Sequence, residues 1–341
     1  MGKSTITEKQ VEQFPDLSFK WLLESVDNLI AFLQIVYPDI VNRIDFTKAQ
    51  KLPESYITDI LREQRTDVTY LAPFQGRRKI FILCIHIEQQ SKPDKTMSYR
   101  MSLYAHLIWD KQRREWKEKN TTPPPGPSQE KDRKFYTILP IVFYTGGVTW
   151  KRLRSLREII NPQEPFGEFV PQYAPIFKSL KEISDSDLVA NNNPFGWAMR
   201  LLKRVKAPKE EFLLELEGAV SCISRVASDY QWRKLTQYLV LLIRNRRGKT
   251  EVEELISLVE SLTRIERKKE VKEMAMTSAQ ALRKEGALEN QRENILATIQ
   301  ARFQTVPSLV SEKLKTIQSM AQLRRIFNQC LTANNFDEIK I

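Results

Sequence analysis

Residues 80–94 read IFILCIHIEQQSKPD, an apolar segment that passes straight into Glu88, Gln89 and Gln90. On an extended strand alternate side chains share a face, so Glu88 and Gln90 project together and Gln89 projects the other way. Upstream, Asp67 interrupts an apolar-leaning run between Thr66 and Val68. If the two segments pair across the turn that holds Gly76, Asp67 and Glu88 converge at one sheet edge. Neighbouring carboxylates repel unless a cation neutralises them. Oxygen donors without His or Cys select a hard ion, Mg²⁺ or Mn²⁺. Such an ion beside a basic surface is apparatus for phosphodiester hydrolysis. Taken singly, each acid reads more simply as a solvated strand end or a turn residue. His86 shares the Glu88 face and reads first as a core histidine. Lys92 has the same parity and would add a cation if the strand ran that far.

The elements that must position these groups are legible in the periodicity. Apolar residues at Phe19, Leu22, Leu23, Val26, Ile30, Leu33 and Val36 step at helical spacing through 16–41, with Pro38 ending the pattern. A short amphipathic piece is predicted near 54–63. The period then shortens: residues 65–73 and 79–88 read as an antiparallel hairpin whose second, nearly all-apolar strand is covered on both faces. A long amphipathic helix spans 96–119, a Pro-rich mobile loop 120–132, and another buried strand 135–150 ends at Gly146-Gly147. After about residue 160 the strands are expected to stop. Helical spacing fills 179–243, charged helix 251–303, and a last helix 308–330. This order predicts an α/β domain over 1–160, a helical region over 161–250 and a charged helical tail over 251–341.

Bulk composition narrows the chemistry. The chain has 341 residues, 41% hydrophobic, with a formal net charge of +12, a balance that favours polyanionic partners, nucleic acid first. Cys84, Cys222 and Cys330 lie far apart without a CxxC pair, and only His86 and His106 are available. Zinc sites and Ser-His-Asp chemistry are therefore poor fits. The RRGKT string at 246–250 fails as a phosphate loop, because the glycine such a loop needs is Ile243. No apolar run approaches the ~20 residues that span a bilayer, so a cytoplasmic location is expected. Among the basic runs, 244–249 lacks acids and is the better phosphate contact, whereas 111–119 and 264–269 carry acids of their own. Arg100 and Tyr104 lie four apart, on one helix face, and Arg100 could equally pair with Asp94.

The blocks TDVTYL (66–71), IHIEQQSKPD (85–94), YRMSLYAHLIW (99–109) and ILPIVFYTGG (138–147) resemble the recombination-promoting nuclease/putative transposase family (Rpn, YhgA-like) of the PD-(D/E)XK nuclease superfamily. The resemblance implies a mixed sheet flanked by helices, followed by a helical C-terminal region. It implies Asp67 and Glu88 as ligands of Mg²⁺ or Mn²⁺, with Gln90 in the position of the superfamily lysine. Arg100 and Tyr104 would grip a phosphate or brace the acids, and Glu24 would supply an extra acid from the first helix. Thr145 departs from the His or Asn expected after Tyr144. The function implied is a Mg²⁺-dependent DNA endonuclease of little sequence specificity, linked to recombination. The alternative is a catalytically impaired nuclease-fold protein that binds DNA or assembles. Neither needs a small-molecule cofactor or a membrane, and the C-terminal helices could support a homo-oligomer.

Overall fold

The computed structural model describes residues 16–52, 68–77, 80–118, 134–161, 167–317, 319–333, 335 and 338–339. The expected helix at 54–63, the loop at 120–132 and Asp67 lie outside them.

Where one helix was predicted over 16–41 there are two, α1 (Asp16–Leu22) and α2 (Val26–Val36). Successive carbonyls at the break are taken by side chains from elsewhere. Lys234 Nζ donates to Trp21 O at 2.6 Å, Asn28 Nδ2 to Leu22 O at 2.9 Å, and Tyr70 Oη to Leu23 O at 2.8 Å. Gln231 Nε2 in turn donates to Asn28 Oδ1 at 3.0 Å. The helix stops because these donors satisfy carbonyls that another turn would have used.

Five strands follow in the order β1 (Gln50–Lys51), β2 (Val68–Gln75), β3 (Ile80–Gln90), β4 (Thr137–Tyr144) and β5 (Ile176–Ser179). The first three are antiparallel, while β3–β4 and β4–β5 are parallel. The sheet is mixed, as expected. The strands do not stop by residue 160, however. The fifth is the four residues IFKS, too short for an alternation to show.

The long helix α3 (Met97–Glu118) makes the crossover between β3 and β4. Its Met97, Met101, Tyr104 and Ile108 pack with Cys84 and Val142 in one cluster. The opposite sheet face carries an aromatic group in which Phe143 stands 5.2 Å from both Phe19 and Phe32, and Phe195 stands 6.0 Å from each of those two rings. Cover on both faces explains why β3 is a continuous apolar run rather than an alternating one.

A short α4 (Leu156–Ile159) lies between β4 and β5, and after the sheet come α5 (Asp185–Val189), α6 (Pro194–Lys203), α7 (Lys209–Val226), α8 (Asp229–Arg246) and α9 (Lys249–Leu262). The charged stretch expected as one helix over 251–303 is divided: α9 ends before a short 3-10 turn, and α10 (Lys268–Phe303) begins after it. Residues Gln13–Val271 form one compact unit and Lys272 onward belongs to a second. In that second unit α11 (Ser308–Thr316) and α12 (Met320–Thr332) bury Val310, Leu314, Leu323 and Ile326 with Ile295 and Ile299. Among the described residues no helix is long and apolar enough to cross a membrane.

Asn193 closes the start of α6. Its Oδ1 accepts from Gly196 N at 2.9 Å and its Nδ2 donates to Ala31 O on α2 at 2.8 Å. A side chain at Gly196 would collide with the Leu188 carbonyl oxygen, so the helix start and α5 approach at backbone contact. Asn193→Ala removes a helix cap and a buried side-chain hydrogen bond to α2 together. It is expected to cost about 2 kcal/mol, read as a lower urea midpoint at unchanged slope.

Candidate active site

β3 ends at Gln90, and its last turn of alternation sets Glu88 and Gln90 on the face that α3 covers. Glu88 is fully buried. Its Oε1 accepts from Gln90 Nε2 at 2.7 Å and from Arg100 Nη2 at 2.8 Å. Arg100, one turn into α3, reaches further: Nη1 donates to Asp94 Oδ2 at 2.9 Å and Nη2 also approaches Tyr104 Oη at 3.2 Å. Asp94 is itself fixed, since its other oxygen accepts from Thr96 N at 2.8 Å and Thr96 Oγ1 at 2.7 Å. That is the local turn which launches the helix carrying Arg100.

The charges follow from these contacts. Burial works against the Arg100 cation, but Glu88, Tyr104 and Asp94 more than offset it and raise its pKa. Burial pushes Asp94 up, yet its bonds from Thr96 and Arg100 prevail and leave it below the usual carboxylate range. Tyr104 is raised by burial and by the nearby Glu88 charge. His86 Nδ1 contacts Thr69 Oγ1 at 2.8 Å and its ring meets Tyr104 edge-on at 5.2 Å. Burial holds it neutral, with its pKa pulled down to about 3. It is a core histidine and no proton carrier near neutral pH.

The structure therefore gathers Glu88, Gln90, Arg100 and Tyr104, and adds Asp94, which the spacing suggested only as a surface partner for Arg100. The Asp-x-Thr pattern just before a helix was its available signal. Two other residues do not join them. The strand stops two residues short of Lys92, which is exposed in the following bend, so alternation no longer aims it. Glu24 pairs instead with Lys51 Nζ at 2.8 Å and Lys234 Nζ at 3.3 Å. Its neighbour Leu23 is bonded by Tyr70, which lies opposite Ile85 and so on the sheet face away from Glu88. Thr145 proves to be a brace for the strand end: its N donates to Gln90 O at 2.9 Å and its hydroxyl accepts from Gln89 Nε2 at 2.6 Å.

The basic runs are largely spent on structure. Arg247 is pinned to Val205 O at 2.8 Å, Ala207 O at 2.7 Å and Glu251 Oε2 at 2.7 Å, and Arg244 pairs with Glu253. The run without acids of its own thus borrows them from α9. Arg113 and Arg114 both pair with Asp110.

A family described as "Putative transposase, YhgA-like" matches residues 15–231. The chain belongs to that family. The match covers the whole sheet and continues to α8, so the helices that cover the aromatic face are part of the family's fold. The Rpn/YhgA-like family lies in the PD-(D/E)XK nuclease superfamily, and the mixed sheet flanked by helices agrees with that architecture. A similar curated protein is "Recombination-promoting nuclease RpnC" of Escherichia coli (strain K12), 29% identical over 136 residues, which is 39% of this chain and 39% of that protein. No solved structure matches the chain.

The superfamily implies a divalent metal at the strand-end acids, and the described residues do not fit one as they stand. Among them no three His, Cys, Asp or Glu side chains group together. Oε1 of Glu88 already faces a guanidinium, a charge a second cation would meet at close range. Asp67 lies outside the described residues.

Glu24 leads to a separate test. Burial pulls Lys234 down to about 8, with Glu24 pushing partly back. Between about 8 and the ordinary lysine value of 10.5, the unfolded chain holds a proton that the folded chain has released. Stability from this group therefore rises with pH across that window. Wild type is expected to gain roughly 2–3 kcal/mol on Lys234→Met as pH rises from about 8 to 10. Urea midpoints of both proteins at the two pH values measure this, and a constant difference between them would count against it.

Proposed function

We propose that this chain is a nuclease-fold DNA-binding protein whose strand-end carboxylate is kept neutralised by its own arginine, with cleavage impaired. The observation that carries this reading is the fully buried Glu88 held by Arg100 at 2.8 Å, with a neutral amide, Gln90, beside it where the resemblance puts the superfamily lysine. A neutral amide can orient a group but brings no charge to offset a developing phosphorane. The surplus of +12 still favours a polyanion. Contact is made chiefly to phosphates, so sequence preference is weak. Exposed Lys92 and Lys95, in the bend between Gln90 and α3, are the cations nearest in sequence to the site. The helical stretches 161–250 and 251–341 serve assembly, a homo-oligomer included.

A second reading has a specific observation behind it. Gln90 is directed onto Glu88 where the resemblance puts a metal-binding acid, and the similar bacterial protein is named a nuclease. On that reading the chain is a Mg²⁺- or Mn²⁺-dependent endodeoxyribonuclease with Asp67 and Glu88 as ligands and Gln90 positioning water or phosphate. Its link to recombination comes with the relative's name.

Two measurements separate them. Anisotropy of labelled duplex DNA in EDTA is expected to show binding that weakens steeply with salt, by roughly a thousandfold between about 50 and 200 mM for about six phosphate contacts. Lys92→Glu with Lys95→Glu is expected to weaken binding across unrelated sequences alike. Supercoiled plasmid with Mg²⁺ or Mn²⁺ is expected to stay intact. Nicking that disappears in Glu88→Gln and Asp67→Asn would establish the hydrolase instead, and absence of DNA binding would remove the primary reading.

A further inference from the structure

We propose that the loop after β4, residues 145–155, joins the bend after β3 in one cationic rim that grips the phosphates of duplex DNA. Lys151 and Arg154 are its contacts, beside Lys92 and Lys95 of the bend. The inference rests on the DNA-binding reading above and adds to it the segment that shares the contact.

The topology brings the two segments together. β3, β4 and β5 run parallel, so the residues that follow each of them leave the sheet at the same end. Thr145 N donates to Gln90 O at 2.9 Å, and a side chain at Gly146 would collide with the Ser91 carbonyl oxygen. Further on the loop meets α3, where Ser98 Oγ donates to Arg154 O. The loop thus touches the chain on both sides of the bend that carries Lys92 and Lys95. Its backbone is fixed between these points. Lys181 Nζ donates to Gly147 O, and Tyr144 Oη donates to Val148 O at 2.7 Å. Ser155 and Glu158 close the far end as a capping box, with Ser155 N donating to Glu158 Oε2 at 2.8 Å. Contacts carried on a backbone already ordered cost less freedom on binding.

The charge left over on this rim is positive. Asp94 is taken by Arg100 at 2.9 Å and Glu158 by Arg152 at 2.6 Å. Lys92, Lys95, Lys151 and Arg154 are exposed, and among the described residues none of the four pairs with a carboxylate. Against them stands exposed Glu182, which follows Lys181. Cations spread over two fixed segments suit a backbone of regularly spaced phosphates. The loop offers little to unpaired bases. Its ring, Trp150, packs inward at 5.1 Å from Tyr144 and 4.9 Å from Phe177. A single strand is held by rings on which successive bases stack, and exposed Tyr99 at the start of α3 supplies one ring. The duplex backbone is the better fit.

The test is anisotropy of labelled duplex, and of one of its strands alone, titrated with the full chain in EDTA across a range of salt. Lys151→Gln with Arg154→Gln removes two cations and keeps the backbone bonds that pin the loop. Each phosphate contact adds about 0.9 to the logarithmic salt slope. Loss of two is therefore expected to reduce the affinity change between about 50 and 200 mM from roughly a thousandfold to roughly a hundredfold. Arg264→Gln with Lys269→Gln removes the same charge from exposed positions between α9 and α10, and is expected to keep the wild-type salt dependence. A loop variant with the wild-type dependence would overturn the proposal, as would a control variant that lowers it equally. In either case duplex binding by wild type leaves the functional reading standing. Tighter binding of the single strand, lost in Tyr99→Ala, would overturn the choice of duplex. Wild type that binds neither DNA would remove the functional reading and the proposal with it.

Discussion

A carboxylate with no exposed surface at the end of a two-sided strand must be met by positive charge from within the fold. Leaving such a group unpaired costs several kcal/mol, a large part of the stability of a typical domain. For Glu88 the requirement is met by Arg100, and much of the local architecture is arranged around delivering it. The Asp94–Thr96 turn fixes where α3 begins, and the first turn of α3 fixes where Arg100 stands. Met97, Met101, Tyr104 and Ile108 then seat that helix on Cys84 and Val142. The apolar contacts and the ion pair select the same register: a one-residue rotation of α3 would lose both.

The other face of the sheet solves a different problem by similar means. There the chain needs a corner between α1 and α2, and a break in a helix exposes carbonyls. Lys234, Asn28 and Tyr70 supply the donors, two of them from elements remote in sequence. Lys234 is fully buried between Trp21 and Tyr230, with its ammonium 4.3 Å and 5.3 Å from the ring centres. A lysine in this setting is costly unless its charge is shared among carbonyl, carboxylate and ring faces. Glu24, which the resemblance offers to the catalytic face, is committed here.

What the sequence discloses and what it hides divide along the range of the interaction. The apolar run of β3, its parity and the helical stripe of α3 arise from neighbours within a few residues, and each could be read directly. Gln90 on the Glu88 face follows from period two alone. The corner at residues 23–25 could not be read, since the helical spacing runs through it and its donors lie as far away as Lys234. The strand β5 is hidden by brevity, because four residues carry no period. Lys92 shows the limit of a parity argument: alternation has meaning only while the strand lasts, and a backbone that bends at Ser91 ends it. The neutralised state of Glu88 was legible only in halves. The resemblance offered Arg100 to a phosphate or to the strand-end acids and the sequence offered it to Asp94, and the planar guanidinium takes both Glu88 and Asp94.

Gln90 gains a physical reason from the same contact. Its amide nitrogen and a guanidinium nitrogen of Arg100 lie within hydrogen-bonding distance of a single carboxylate oxygen. A lysine at position 90 would put a second full positive charge against the first in a site with little water. At such separations like charges oppose each other by several kcal/mol even at an effective dielectric near 20, an opposition that Glu88 and Asp94, both paired with Arg100, would offset only in part. The amide satisfies the same oxygen at no cost in charge. Gln90 and Arg100 thus share one acceptor, Oε1 of Glu88, and only one of the two brings a charge to it. In a centre that takes its cation from α3, the amide on β3 completes the hydrogen bonding of the same carboxylate oxygen and leaves the charge of the site to Arg100, Glu88 and Asp94.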